Sequence, residues 1–212
     1  MGVESVRQAD IGNGVNSPRS AESEEIQIQL HQPKNPPHFD ELTGYPYPDQ
    51  EVVKGNYQFE SSPRFGGPET GEGTFQIRTG SGMIILQTED DRPRPKKIFQ
   101  ALDQAINGET SIKQTFVPNQ NQVWNFLERA DRYRELKVVT PNGLIKSANQ
   151  VNIDWEEMKG RYPVEIAHLE FDFAGDDGPI PVRYRDDTLE IGVDDPDARE
   201  YVIQIFETVM TE

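Results

Sequence analysis

Apolar and polar residues alternate most regularly in the last third of the chain. A period of two predicts strands that bury one face. After Asp195 the apolar spacing becomes helical, and Pro196 suits the first turn of a helix. The sequence therefore predicts a β-β-β-α unit over residues 160–212, with one helix covering the sheet. The alternating apolar positions are Ala167, Leu169, Phe171 and Phe173, then Val182 and Tyr184, then Leu189, Ile191 and Val193.

The turns between these strands predict their register. A two-residue turn between the second and third strands places Tyr184 opposite Leu189. Across the preceding loop, the pattern places Phe171 opposite Tyr184 and Asp172 opposite Arg183. Both registers gather the apolar residues on one face and pairs of opposite charge on the other.

The middle of the chain predicts a second lobe over residues 73–147. Thr74–Thr79 and Met83–Thr88 flank a glycine-rich turn, as in a β-hairpin. Helical stripes follow from Pro95 to Ile106 and from Asn121 to Ala130, with a short strand between them. A second hairpin, with strands at Glu135–Val139 and Leu144–Ser147 joined by a Pro-Asn-Gly turn, closes this lobe. Its predicted order is therefore hairpin, helix, strand, helix, hairpin.

The first 72 residues contain eight prolines and eight glycines and differ in character from the rest. Residues 1–23 show no apolar period, which predicts a disordered tail. Further along, prolines alternate with aromatic residues, and we expect an irregular arm whose rings anchor on the body or on a partner. A self-contained meander is the alternative. The candidate binding residues of the arm are Tyr45, Tyr47 and Phe65.

Together these elements predict an α+β fold: antiparallel sheets each covered by a helix, and an irregular proline-rich N-terminal arm. Hydrophobic residues make up 34% of the 212 residues, and the mean hydropathy is −0.74. Such a composition suits a compact core with a polar extension. The longest wholly apolar run is Met83–Leu86, and we expect a soluble cytoplasmic protein without a membrane partner.

The chain is strongly acidic, with a net charge of −16 and an isoelectric point near 4.6. The last 43 residues contain thirteen acidic residues and three arginines, a net charge of −10. This balance opposes binding to phosphate backbones and anionic membranes, so we do not expect a nucleic-acid partner. Eight lysines against thirteen arginines, combined with the acidic excess, favour a salt-adapted, halophilic cytosol.

Few residues offer catalytic or metal-binding chemistry. There is no cysteine and there are three histidines, and we expect neither a metal nor a cofactor. His168, Glu170 and Asp172 share one predicted strand face, but arginines on the neighbouring strand favour a face of ion pairs over a metal site. We assign no catalytic residue.

A basic run precedes the first predicted helix. Cations at a helix N-terminus oppose the helix dipole, which favours a role other than stability. The run is a candidate site for an acidic protein surface or a phosphate group. Its candidate binding residues are Arg92, Arg94, Lys96 and Lys97.

Two alternatives to a protein-interaction role remain open. Helix, strand, helix and hairpin over residues 95–147 partly match a winged helix, whose basic residues would come from 92–97 and 129–137. Asp154, Glu157 and Lys159 match elements of metal-dependent hydrolases or nucleases. The leading hypothesis is a non-catalytic acidic protein-interaction or assembly protein. We expect it to bind a protein partner, or a second copy of itself, through the N-terminal arm.

Overall fold

The computed structural model describes residues 3–12, 15, 17, 19–62, 67–88, 92–106, 110–174, 178–186 and 188–211. The chain forms two compact units. The N-terminal unit contains Gly2–Pro36 and Tyr47–Phe116. The C-terminal unit contains Pro37–Pro46 and Val117–Glu212. Among the described residues, no helix combines the length and the apolar character that a membrane span requires.

The N-terminal unit is an antiparallel sheet with one helix. The strand order is β2-β3-β4-β5-β6-β1, and β7 pairs with β1. Helix α1 (Pro95–Ala105) follows β6 in the chain. The strands are β1 (Val3–Ile11), β2 (Arg19–Glu22), β3 (Ile26–Leu30), β4 (Val52–Ser61), β5 (Glu69–Arg78), β6 (Met83–Thr88) and β7 (Thr110–Ile112).

Alternation along β3 and β4 builds the core of this unit. Ile26, Ile28 and Leu30 are buried while the glutamines between them are exposed. Helix α1 buries Phe99 and Leu102 in the same apolar cluster. Gly55 on β4 leaves room for an aromatic ring, since a Cβ there would lie 2.5 Å from Cζ of Phe75.

The C-terminal unit has the strand order β12-β11-β10-β8-β9, and each neighbouring pair is antiparallel. Phe126 on helix α2 contacts the rings of Phe171, Tyr184 and Phe206, so α2 and α4 share one core with the sheet. A 3-10 turn at Ala148–Gln150 follows β9. The elements are α2 (Gln120–Glu128), β8 (Arg132–Val139), β9 (Ile145–Ser147), α3 (Trp155–Arg161), β10 (Val164–Phe171), β11 (Ile180–Arg185), β12 (Thr188–Ile191) and α4 (Pro196–Thr211).

The structure confirms a mixed fold with antiparallel sheet and helices. The predicted register of β11 against β12 is confirmed, because Tyr184 lies opposite Leu189. The predicted register of β10 against β11 is wrong by four residues: Phe171 lies opposite Ile180 and Ala167 opposite Tyr184. Because the shift is even, the two faces keep their residues.

The prediction of a disordered tail over residues 1–23 is wrong for the described part of that segment. Val3–Ile11 and Arg19–Glu22 are strands, and Val6 is fully buried. The alternation of apolar and polar residues did not predict strand β1, because this strand also buries the polar residues Glu4 and Ser5, which are each 1% exposed. A strand that buries polar and apolar residues alike shows no period of two.

The predicted division into an arm and two lobes also differs from the structure. Residues 73–147 do not form one lobe, because α1 belongs to the N-terminal unit and α2 to the C-terminal unit. Much of the predicted arm is sheet, since β1 to β4 all precede residue 72. Within Pro33–Pro68, the described stretch that joins the C-terminal unit is Pro37–Pro46.

Candidate binding sites

Ion pairs cover the outer face of the C-terminal sheet. The Glu170 side chain on β10, which is 7% exposed, accepts hydrogen bonds from Arg132 and Arg134 of β8. The Arg132 Nε atom lies 3.1 Å from its carboxylate, and the same guanidinium binds Asp172. The hydrogen bond from Arg134 is the main reason that the pKa of Glu170 lies below its usual range.

The same face extends to β11 and β12. His168 lies opposite Arg183, and its Nδ1 atom is 3.6 Å from the Glu135 carboxylate. Arg183 in turn donates to Glu190 at 2.6 Å, as its position opposite that residue predicts. The prediction of an ion-pair face for His168, Glu170 and Asp172 is confirmed, although β8 rather than β11 supplies the arginines for the two carboxylates.

The far end of this sheet is apolar and exposed. The β8–β9 hairpin turns at Gly143, whose φ of +78° suits a glycine. Hydrogen bonds join Thr140 and Leu144 in both directions, with N–O distances of 2.9 Å and 3.1 Å. They hold Leu144 and Ile145 at the start of β9, where these side chains are 54% and 55% exposed. We call Leu144 and Ile145 the apolar edge.

Sequence reasoning missed the apolar edge. The Leu-Ile pair after the Pro-Asn-Gly turn predicted a strand, and strand residues of this type are normally buried. Exposure follows from the position of β9, which comes last in the strand order and, among the described residues, pairs with β8 alone.

The candidate residue Tyr45 contacts its own unit. Its hydroxyl donates a hydrogen bond to the carboxylate of Glu207, a fully buried residue of α4. Phe39 contacts the rings of Phe173 and Tyr201 edge-on, at centroid distances of 5.6 Å and 5.5 Å. Residues 37–46 therefore pack against α4, and we call them the strap.

The aromatic contacts of the strap include a residue just beyond the end of β10. Phe173 was predicted to continue strand β10, but it contacts Phe39 and Tyr201 instead. Burial is the main reason that the pKa of Tyr201 is raised, and the carboxylates of Asp131 and Glu41 add to it.

The other two arm candidates, Tyr47 and Phe65, follow the strap in the chain. Tyr47 belongs to the N-terminal unit, where a Cβ on Gly80 would lie 3.0 Å from its ring. Phe65 lies outside the described residues.

The basic run is split by the start of α1. Pro95 occupies the first turn of the helix, as predicted. Lys97 is 2.6 Å from the Glu69 carboxylate. Arg92, Arg94 and Lys96 are exposed and form no ion pair with any residue that the structure describes.

Arg92 lines a groove of about 860 Å³ in the N-terminal unit. The ends of β3, β4, β5 and β6 and the start of α1 contribute the other walls. We call it the strand-end groove. Its described lining residues are Ser23, Glu24, Glu25, Ile26, Gln27, Tyr57, Gln58, Phe59, Glu60, Ser61, Ser62, Thr70, Gly71, Glu72, Thr88, Arg92, Pro93 and Ile98.

The residues proposed for a winged helix do not assemble into one. Helices α1 and α2 lie in different units, whereas a winged helix packs its helices in one core. Arg132 and Arg134 bind carboxylates of the sheet, so their charges are already matched. Lys137 is 3.0 Å from Glu135 and Arg129 is exposed.

The residues matched to nucleases have structural partners. Asp154 caps α3 by accepting a hydrogen bond of 2.7 Å from the Glu157 amide. The Glu157 carboxylate pairs with Arg161, and Lys159 is 2.7 Å from Glu128. Each group therefore stabilises the helix or its neighbours.

Comparison with known proteins adds no family. The sequence matches no protein-family model, and no curated protein matches it significantly.

Proposed function

We propose that the protein is a non-catalytic interaction protein and that a partner docks on the apolar edge. The observation that carries this proposal is the exposure of Leu144 and Ile145, two adjacent aliphatic side chains that are each more than half accessible. The opposite face of the same sheet buries its aliphatic and aromatic residues, including Leu169 and Val182. Adjacent exposed aliphatic residues on a terminal strand offer a partner an apolar surface to cover.

The position of the apolar edge on a terminal strand favours docking by strand addition. An edge strand presents backbone N–H and C=O groups to another chain, and side chains of alternate residues then supply specificity. Ile145 lies opposite Val139, so the two aliphatic residues project from the same face of the hairpin. The ion pairs of that face, Lys137 with Glu135 among them, would form a polar rim.

The charge of the C-terminal unit favours a different protein over a second copy. The unit contains twenty-two acidic and ten basic residues, a net charge of −12. Two copies would bring two such charges together, and their repulsion would oppose association in dilute salt. A different protein with a less acidic docking strand would experience less of this repulsion.

The contacts of the strap argue against our expectation that a partner binds through the N-terminal arm. Tyr45 donates to Glu207 and Phe39 packs on Tyr201, so these arm residues stabilise the C-terminal unit from within. We therefore assign partner binding to the apolar edge and a stabilising role to the strap.

Affinity purification of the full chain from its native cells tests the proposal. The double variant Leu144→Asp, Ile145→Asp should lose the partner, with at least about a tenfold drop in recovery, because central aliphatic contacts carry much of the binding energy. Val117→Asp is the matched control, since Val117 is 82% exposed but lies outside the hairpin. Equal recovery with the double variant and with wild type would contradict the proposal.

A further inference from the structure

The strand-end groove differs chemically from the apolar edge. Hydroxyl groups line it on several strands, including those of Ser61, Thr70 and Thr88. The Ser23 hydroxyl oxygen is inaccessible to solvent and has no hydrogen-bond partner among the described residues. The groove is therefore rich in oxygen atoms that accept hydrogen bonds.

Carboxylates add negative charge to the same groove. Glu24, Glu60 and Glu72 are exposed and form no ion pair with any described residue. Glu25 accepts a hydrogen bond of 2.5 Å from Ser61. Arg92 is the one cation among the described lining residues, and these residues together carry four negative charges and one positive charge.

The shape of the groove rests on a close packing contact. Pro93, which follows Arg92, packs against the backbone of Gly71 on β5, where a Cβ would collide with its ring. Ile26, Phe59 and Ile98 belong to the lining and are at most 2% exposed. The walls of the groove are therefore fixed by residues of the core. The volume of the groove, about 860 Å³, is in the range of small-ligand sites.

We propose that the strand-end groove binds a linear organic polycation that carries several ammonium groups. An ammonium group donates three hydrogen bonds and matches carboxylate and hydroxyl acceptors. An extended cation reaches carboxylates on different strands, such as Glu60 on β4 and Glu72 on β5. Among the described residues, no three carboxylate or imidazole groups lie close enough to hold a single metal ion.

Substitutions of Arg92 and of the groove carboxylates should change the affinity for a cation in opposite directions. The charge of Arg92 opposes a bound cation, so Arg92→Gln should tighten binding, whereas Glu60→Gln with Glu72→Gln should weaken it. Exposed pairs of opposite charge contribute little each, and we expect about a 2- to 30-fold loss for the double change. For Arg92→Gln we expect about a 1.4- to 5-fold gain.

Isothermal titration calorimetry of the full chain and its variants, with spermine and with tetralysine at constant ionic strength, measures these changes in affinity. The matched control is Glu22→Gln with Asp49→Asn, which removes two exposed carboxylates of the N-terminal unit outside the groove lining. We expect one saturable site that the control leaves unchanged. Equal weakening in the control would show non-specific attraction to an acidic chain and would overturn the proposal.

The two probes distinguish a free polyamine from a lysine-rich protein segment as the natural ligand. Binding of spermine alone identifies a free polyamine, and binding of tetralysine alone identifies a lysine-rich segment of another protein. Magnesium chloride provides a further arm, because competition by Mg²⁺ at equal ionic strength would indicate a metal site. Saturation by neither probe, or by Mg²⁺ alone, would overturn the proposal.

Discussion

The two units of this chain expose their sheets to solvent in different ways. The C-terminal unit has a net charge of −12 and covers its outer sheet face with ion pairs such as Arg134 with Glu170. The N-terminal unit has fifteen acidic and eleven basic residues, a net charge of −4. Its exposed sheet positions include amides such as Gln29 and Asn56, which lie opposite each other on β3 and β4.

This difference has consequences for stability. Ion pairs and net charge depend on pH and salt, whereas neutral amides do not titrate. We therefore expect pH and salt to act mainly on the C-terminal unit. Trp124 and Trp155, the two tryptophans of the chain, both lie in that unit, so their fluorescence reports on its unfolding.

The largest expected effect comes from the core of the C-terminal unit. Tyr184 is 2% exposed and contacts Phe126 and Phe206, so Tyr184→Ala should lower the free energy of unfolding by about 3–5 kcal/mol. Arg183→Ala removes a partly exposed ion pair on the other face and should cost about 0.2–1 kcal/mol. Urea unfolding followed by tryptophan fluorescence checks the order, and equal costs would refute the assignment of faces.

A smaller effect is expected in the N-terminal unit. Gly55→Ala places a methyl group against the ring of Phe75, which is itself 2% exposed, and should cost about 1–3 kcal/mol by overpacking. Circular dichroism follows the loss of strand. Combining it with Phe75→Leu should recover part of the loss, and no recovery would show that the contact does not set the cost.

Salt should stabilise the C-terminal unit by screening its negative charges. Raising KCl from low to molar concentration should raise the fluorescence-detected melting temperature by about 2–4 °C, the shift that about 1 kcal/mol causes in a chain of this length. The same result would support the salt-adapted cytosol that the composition predicts. A melting temperature that stays flat would remove that prediction.

The smallest effect concerns the pH dependence of one carboxylate. Because its arginine partners hold the pKa of Glu170 in the folded state below the ordinary value of 4.5, its charged form stabilises the fold above that pH. This contribution should fade as the pH drops below about 4.5 towards the lowered pKa. Glu170→Gln should flatten the acid limb of stability against pH. Glu60→Gln, which removes an exposed carboxylate of the N-terminal unit, is the control and should leave that limb in place.

The sequence predicted local features better than those that depend on distant residues. The register of β11 against β12 followed from a two-residue turn, and the start of α4 at Pro196 followed from adjacent positions. The strap depends on Glu207, which lies 162 residues from Tyr45 in the chain. No periodicity near Tyr45 encodes that contact, so the arm could not be assigned to α4.

The candidate sites show the same limit. Arg92, which precedes α1, was singled out as a cation, but the carboxylates that share its groove come from the ends of three strands. Leu144 and Ile145 were recognised as strand residues, yet their exposure depends on which strand lies last in the sheet. Strand order depends on pairing throughout the unit, and a local pattern of apolar residues does not determine it.

Hydrogen exchange of the chain, alone and with the partner recovered by wild-type protein, tests the proposed docking surface most directly. We predict that bound partner slows amide exchange across residues 140–147, because strand addition covers the outer edge of β9. The strap should exchange at the same rate in both states, since its contacts lie within its own unit. Unchanged exchange over residues 140–147, with protection of the strap instead, would contradict the account.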